Sequence, residues 1–167
     1  MTFTPKKNNL LTDRLLRSWI RCRRKAWLDK YGDPSERLWT AHRALQLDHQ
    51  QRSVHALIDK KPGQGISAFS YGAPFVVGAR LKTQTNEGYL LETHPLLLHQ
   101  VKGQSKWGEY AYIPVASRQG KRLSKEQKFV LALDGYLLAK LQENEVKYGL
   151  VISKSHDSLQ IEKHALS

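Results

Sequence analysis

Arg14, Arg17, Arg21 and Arg24 recur at spacings of three and four. At 100° per residue they fall on one stripe of a helix, and the guanidinium group is the side chain best shaped to grip phosphate oxygens. A second basic group, Arg118, Lys121 and Arg122, follows the apolar stretch "EYAYIPVAS". Cys22 lies beside Arg21, Arg23 and Arg24. Such cations favour a thiolate where the sulfur is exposed. The helical angle of Cys22 borders the apolar face, so a buried, structural cysteine is expected over a nucleophile. Arg23 points into the apolar arc and is expected to need a carboxylate or carbonyl partner. The histidines converge poorly. His42, His49 and His55 are spaced by seven and six, and His94 and His99 are five apart in a predicted strand, on opposite faces. They read as solvated or packed residues. No P-loop, no Gly-x-Gly-x-x-Gly after a strand and no HExxH helix is present.

These groups need elements to hold them. "LLTDRLLRSWIRCRRKAWLDKYG" predicts one long helix, with Thr12 as N-cap, Asp13 at the positive end of the dipole and Gly32 and Pro34 as the stop. Leu15, Leu16, Trp19, Ile20, Ala26, Trp27 and Tyr31 share its apolar face. A second helix is expected from Ser35, its cap, to about Ile58, with Leu38, Ala41, Leu45, Val54 and Leu57 buried. "DKKPGQG" reads as a loop. The period then changes to that of strands: "PFVVGARLK" and "EGYLLETH" form a hairpin around Asn86 to Gly88, and "HPLLLHQV" and "EYAYIPVAS" are joined by the "KGQSKWG" turn. "LSKEQKFVLALDGYLLAKLQ" returns to helix, with a capping box of Ser124 and Gln127 and with Phe129, Leu133, Tyr136 and Leu137 on the buried side. "YGLVISK" and "LQIEKHAL" are late strands joined by "SHDS".

The expected fold is therefore α/β (α+β): a central mixed sheet of about four to six strands, two N-terminal helices and one helix after the central strands. Residues 1–10 read as a flexible lead-in and 11–167 as a single domain. The formal charge is +12 and the pI about 9.9. Such an excess attracts polyanions, nucleic acid first among them. One cysteine excludes an intramolecular disulfide and a multi-cysteine metal site within these residues. No apolar run approaches a membrane span, and the N-terminus lacks the apolar region of a secretory signal, so the cytoplasm is the expected location and no membrane partner is expected.

Several stretches together resemble the RecB-like branch of the PD-(D/E)XK nuclease superfamily, from about Leu11 to Lys154. "LLTDRLLRSWIRCRRKAWL" is similar to its opening helix, "LETHPLLLHQVKGQSKWGEYAYIPV" to its paired central strands, "LALDGYLLAKL" to the helix that follows and "YGLVIS" to the next strand. The resemblance implies a restriction-endonuclease-like fold and cleavage of DNA with magnesium or manganese. It makes Cys22 the counterpart of the first iron–sulfur ligand of cluster-bearing relatives. Those relatives place three more cysteines later, so a cluster is expected only if a C-terminal cysteine-rich segment belongs to the protein. Tyr136 matches the family tyrosine, and His49 is the nearest match to an upstream histidine.

The departures fall on the metal ligands. Pro95 and Leu96 stand where the family has an Asp, Ala116 and Arg118 where it has Glu and Lys, and Ala132 where it has Gln. Magnesium needs hard oxygen donors, which alanine and leucine lack. Arg118 keeps a positive charge able to clamp phosphate but not to act as a base. Three functions follow. The first is a nucleic-acid-binding domain, for single- or double-stranded DNA, with lost or weak nuclease activity. It would use Arg14, Arg17, Arg21, Arg24, Lys121 and Arg122 on phosphates. The second is an active nuclease whose carboxylates have moved, with Glu92, Glu109 and Glu126 as candidates and Arg118, Glu109 and Tyr136 as catalytic groups. The third is a non-enzymatic module that docks on a DNA-repair protein. Trp107 and Tyr110 are candidates for base stacking, with core packing the favoured reading.

Overall fold

Successive apolar residues of the two longest central strands point to opposite faces of the sheet, and that splits the core in two. In the computed structural model, which describes residues 9–37 and 41–166, Leu97, Ile113 and Val115 face one side of the sheet and Leu98 and Tyr112 the other. The elements run β1 (Leu10–Thr12), α1 (Asp13–Arg21), α2 (Arg23–Tyr31), α3 (Ala41–Leu57), β2 (Gly63–Gln64), β3 (Phe75–Val77), β4 (Leu81–Gln84), β5 (Leu90–Thr93), β6 (Leu97–Ser105), β7 (Gly108–Ser117), α4 (Lys125–Gln142), β8 (Tyr148–Lys154) and β9 (Leu159–Ala165). Six strands form a mixed sheet in the order β2-β3-β6-β7-β8-β9. Helix α3 packs on one face through Val54 and Leu57, and α4 on the other through Leu137 and Leu138. The expected α/β architecture with a central mixed sheet is present.

A second sheet, β1-β5-β4, was not expected. "PFVVGARLK" reads as one strand, yet Gly78, at φ +65°, turns the chain so that β3 joins the large sheet and β4 the small one. Leu10, assigned to the lead-in, pairs in parallel with Leu90 as part of β1. Residues 1–8 of that lead-in lie outside the described residues.

The long N-terminal helix is two helices. Thr12 caps α1 as expected, its hydroxyl accepting from the Leu15 N–H at 3.2 Å. Cys22 then adopts an extended conformation (φ −161°, ψ 117°) between α1 and α2. Ser18 donates to Asp29 Oδ2 at 2.5 Å. In a continuous helix eleven residues span roughly 16 Å, so this bond requires the break. The bend changes what is buried. Asp13, Ser18 and Ala26 face inward, whereas Trp19, Trp27 and Tyr31 are more than half exposed. Cys22 is exposed too, against the expectation of a buried cysteine. Arg23 is exposed and finds a ring instead of a carboxylate, its guanidinium 5.4 Å from the Trp19 centroid.

The second helix begins later than expected. Asp33 accepts from the Ser35 N–H at 2.8 Å and caps a short 3-10 turn at Pro34–Glu36, in place of Ser35 capping α3. Leu45 and Ala41 are exposed, Val54 and Leu57 are inward, and Leu38 lies outside the described residues. Helix α4 carries the expected capping box of Ser124 and Gln127. Leu137 is fully buried as expected, but Phe129 and Tyr136 are exposed, and Leu131, Leu138 and Asp134 take the inward positions. Strand β8 meets β7 in parallel only at Val115–Ser117. Gly149 permits the approach, since a Cβ there would lie 2.9 Å from the Pro114 carbonyl. Upstream, where no strand covers this edge of β7, the Gln142 side chain stands in: Oε1 accepts from Tyr112 N–H at 2.9 Å and Nε2 donates to Tyr112 C=O at 3.3 Å.

Candidate nucleic-acid interface

Strand β7 ends where the resemblance places a metal. Leu97 pairs with Val115, so Leu96 stands opposite Ala116 one step beyond the last pair. Neither side chain offers a donor atom to a cation. Ala116 pairs with Val151 and Val151 with Glu162, which puts Ala116 and Glu162 in one row on one face of the sheet, roughly 10 Å apart. Arg118 lies across that row. Its Nη2 donates to Glu162 Oε1 at 2.8 Å and its Nη1 to the Gly120 carbonyl at 2.7 Å, and it is buried. Its N–H donates to Ile152 C=O at 2.9 Å, extending the β7–β8 ladder, and its own carbonyl lies 3.1 Å from His49 Nε2 on α3. Among the described residues no group of three His, Cys, Asp or Glu side chains could hold a metal ion. A hydrocarbon pair and an arginine do not fit magnesium or manganese.

What this end does hold is positive charge. Arg118, Lys121, Arg122, Lys128 and Lys163 line a cavity of about 200 Å³ whose lining has one carboxylate, Glu162. The β7–α4 turn supplies Lys121 and Arg122, the first turns of α4 supply Lys128, and β9 supplies Lys163. The capping box fixes where that turn enters α4, and Gln127 Nε2 reaches back to the Ser117 carbonyl at 3.4 Å.

The N-terminal stripe meets the start of α4. Arg21 of α1 forms an ion pair with Glu126, in the first turn of α4. Arg43 of α3 sits among Arg14, Arg17 and Arg21. Burial, and then the charges of Arg17, Arg14 and Arg21, push its guanidinium pKa down, with Glu126 opposing. Arg17 pairs with Asp13 at 3.8 Å. Arg14 is exposed, and so is Arg24, which lies beyond the break on α2. The structure therefore gathers Arg14, Arg17 and Arg21 around Arg43, ties Arg21 to the first turn of α4, and places Arg24 beyond the break.

The other candidates are scattered. Glu109 is exposed at the opposite end of β7, seven residues and roughly 23 Å from Ala116. Tyr136 lies three turns along α4, half-exposed, with Lys140 Nζ 5.6 Å from its ring. Glu126 is taken by Arg21. Trp107 stacks on Phe69 with centroids 4.7 Å apart, and Tyr110 donates to the Phe69 carbonyl at 2.7 Å, so both serve the core.

Glu92 belongs to a second polar site that the sequence reading missed, at the junction of α1, β5 and α4. There His94 Nδ1 lies 3.3 Å from Asp13 Oδ1 and its Nε2 3.1 Å from Glu92 Oε1. Arg80 and Lys82 also reach Glu92, at 3.6 and 3.2 Å. Asp134 of α4 is buried beside it, with Oδ1 unpartnered among the described residues. Burial pushes its carboxyl up to about 7; the neighbouring Thr93 hydroxyl pulls it down, the Asp13 charge adds to the rise and Arg17 opposes it. The one available sign was an aspartate inside the apolar run "LALDGYLLAKL".

No family model matches the chain, and no curated protein matches it. In fold it is similar to a solved structure, the crystal structure of SSO0001, with a TM-score of 0.52 over 96% of this chain and 69% of that one. The two are 10% identical, so the likeness is one of fold alone. Among the described residues no helix is long and apolar enough to cross a membrane.

Proposed function

We propose that the protein is a RecB-like nucleic-acid-binding domain of the cytoplasm that grips the phosphate chain of DNA and has lost, or keeps only weakly, metal-dependent cleavage. The observation that carries this reading is the cluster of cations at the β7 end, with the arginine stripe of α1 tied to the first turn of the neighbouring α4. Five cations surround one carboxylate in the β7-end cavity, and the Arg21–Glu126 pair holds the C-terminal end of α1 against the first turn of α4. The resemblance in sequence order supports it, and the total of +12 supplies the long-range attraction. Contacts of this kind position a strand without reading its bases.

The test is a filter-binding titration of single- and double-stranded DNA across salt concentrations. Affinity should fall steeply with salt, by about 0.9 in log–log slope for each phosphate contacted on a duplex. Lys121→Glu combined with Arg122→Glu should weaken binding by about a hundredfold and flatten the slope by about two. Absence of salt-dependent binding at moderate ionic strength would overturn the proposal and leave a module that docks on a DNA-repair protein. One observation favours residual cleavage, the shared row of Glu162 and Ala116. Plasmid cutting in magnesium or manganese that disappears in Glu162→Gln would establish that reading.

A further inference from the structure

We infer that the α1–α2 face is a stacking platform for single-stranded nucleic acid, with Trp19, Trp27 and Tyr31 taking bases and Arg14, Lys30 and Arg37 seating the phosphates beside them. The inference rests on the nucleic-acid-binding reading and names its strand form.

Trp19, Trp27 and Tyr31 are 54%, 59% and 57% exposed, an unusual concentration of large rings on two nine-residue helices. They are not scattered. Trp27 and Tyr31 are one turn apart with centroids 5.6 Å from each other, and Arg23 bridges the break to lie over Trp19. Lys30 Nζ is 5.6 Å from the Tyr31 centroid. Rings and cations thus alternate along one surface, the arrangement that binds bases by their faces and the backbone by its charge. Where the start of α1 meets the end of α2 lies a cavity of about 220 Å³ lined by Arg14, Lys30 and Arg37 with Thr12, Leu15 and Asp29.

The charge pattern selects the occupant. Residues 13–31 carry seven Arg and Lys and two Asp. Both aspartates are engaged by partners on the chain: Asp13 is buried, and Asp29, at the cavity wall, accepts from Ser18 at 2.5 Å and Lys25 at 2.9 Å. Burial raises the Asp29 carboxyl, but those bonds and the charges of Lys25 and Arg14 outweigh it and hold it below the usual carboxylate range. The outward face is therefore apolar rings within a cationic field. A second copy of the same face would bring like charges together. A duplex keeps its bases stacked inside, out of reach of these rings. A single strand offers both free bases and phosphates.

The experiment is fluorescence anisotropy of the full chain with labelled oligothymidylate and with a duplex of equal length. Single-strand binding should be the tighter. Trp27→Ala with Tyr31→Ala should weaken it about tenfold or more and leave duplex binding within about twofold, and Trp27→Phe with Tyr31→Phe should restore it. Lys121→Glu with Arg122→Glu should weaken both forms. Duplex binding with no effect of the ring substitutions on the single strand would overturn this inference and leave the proposed function standing. Binding of neither form would overturn both. A concentration-dependent dimer abolished by the ring substitutions, with DNA binding unchanged, would assign the face to a second copy and overturn the inference.

Discussion

The β7 end and the α1–β5–α4 junction use charge in opposite ways. At the β7 end cations outnumber carboxylates five to one around an open cavity. At the junction, Asp13, Glu92 and Asp134 are all buried, and the charged groups that answer Asp13 and Glu92 come from more exposed side chains. Five of the fifteen acids are thus drawn into contacts within the chain, since Asp29 and Glu126, whose side chains are 12% exposed, are engaged as well. Much of what remains outside is Arg and Lys. A net charge of +12 understates how positive the surface is, because several of the acids in that total face inward.

The contrast can be broken most strongly at Asp134. Its carboxyl titrates near 7 when folded and near the ordinary 3.8 when unfolded. The folded state therefore holds the proton more tightly, and the contribution of Asp134 to stability is greatest below pH 4 and declines as pH rises to 7, by about 4 kcal/mol. Urea melts should show that decline in the stability difference between the native protein and Asp134→Asn. Parallel pH profiles of the two would remove Asp134 from the buried-acid group. Next comes Glu92→Ala, which leaves Arg80, Lys82 and His94 without their shared acceptor and should cost about 2 kcal/mol. DNA affinity should hold steady in the same variant, and a parallel loss of binding would mean that the two regions are not separate.

Glu162→Gln acts on the other side of the comparison. It releases Arg118 from an ion pair whose acidic partner is 58% exposed, so the stability change should stay below about 1 kcal/mol. Binding should tighten a few-fold, read by the same titration, because one more cation faces the phosphate chain. Weaker binding would make Glu162 an organiser of the cavity and not its counterweight. The smallest effect belongs to Glu143, which ends α4 at φ 58° away from both regions. Glu143→Gly should stabilise the protein by about 0.5–1 kcal/mol in the melts and leave binding unchanged.

What was legible in the sequence was local. Thr12 and the Ser124–Gln127 box could be read because a cap and its recipient lie three residues apart. Strands β6 to β9 could be read because short apolar or alternating runs bounded by turn residues mark them. The replacement of metal-ligand types by Leu96, Ala116 and Arg118 was legible as chemistry. The buried faces of the helices were less so. Phe129 and Tyr136 satisfy the helical period as well as Leu131 and Leu138 do, and which arc faces inward depends on where the sheet lies.

By itself, then, the chain's sequence determined the charge excess, the strand alternation, the caps and the absence of oxygen donors at the two positions that face each other across β6 and β7. Only the tertiary structure decided that α1 and α2 part at Cys22, that their rings point outward, that Arg21 meets Glu126 across 105 residues and that Glu162 rather than Glu109 shares a row with Ala116. The physical reason is distance along the chain. Caps and periods act within a turn or two, whereas ion pairs and strand registers form between segments that only packing brings together.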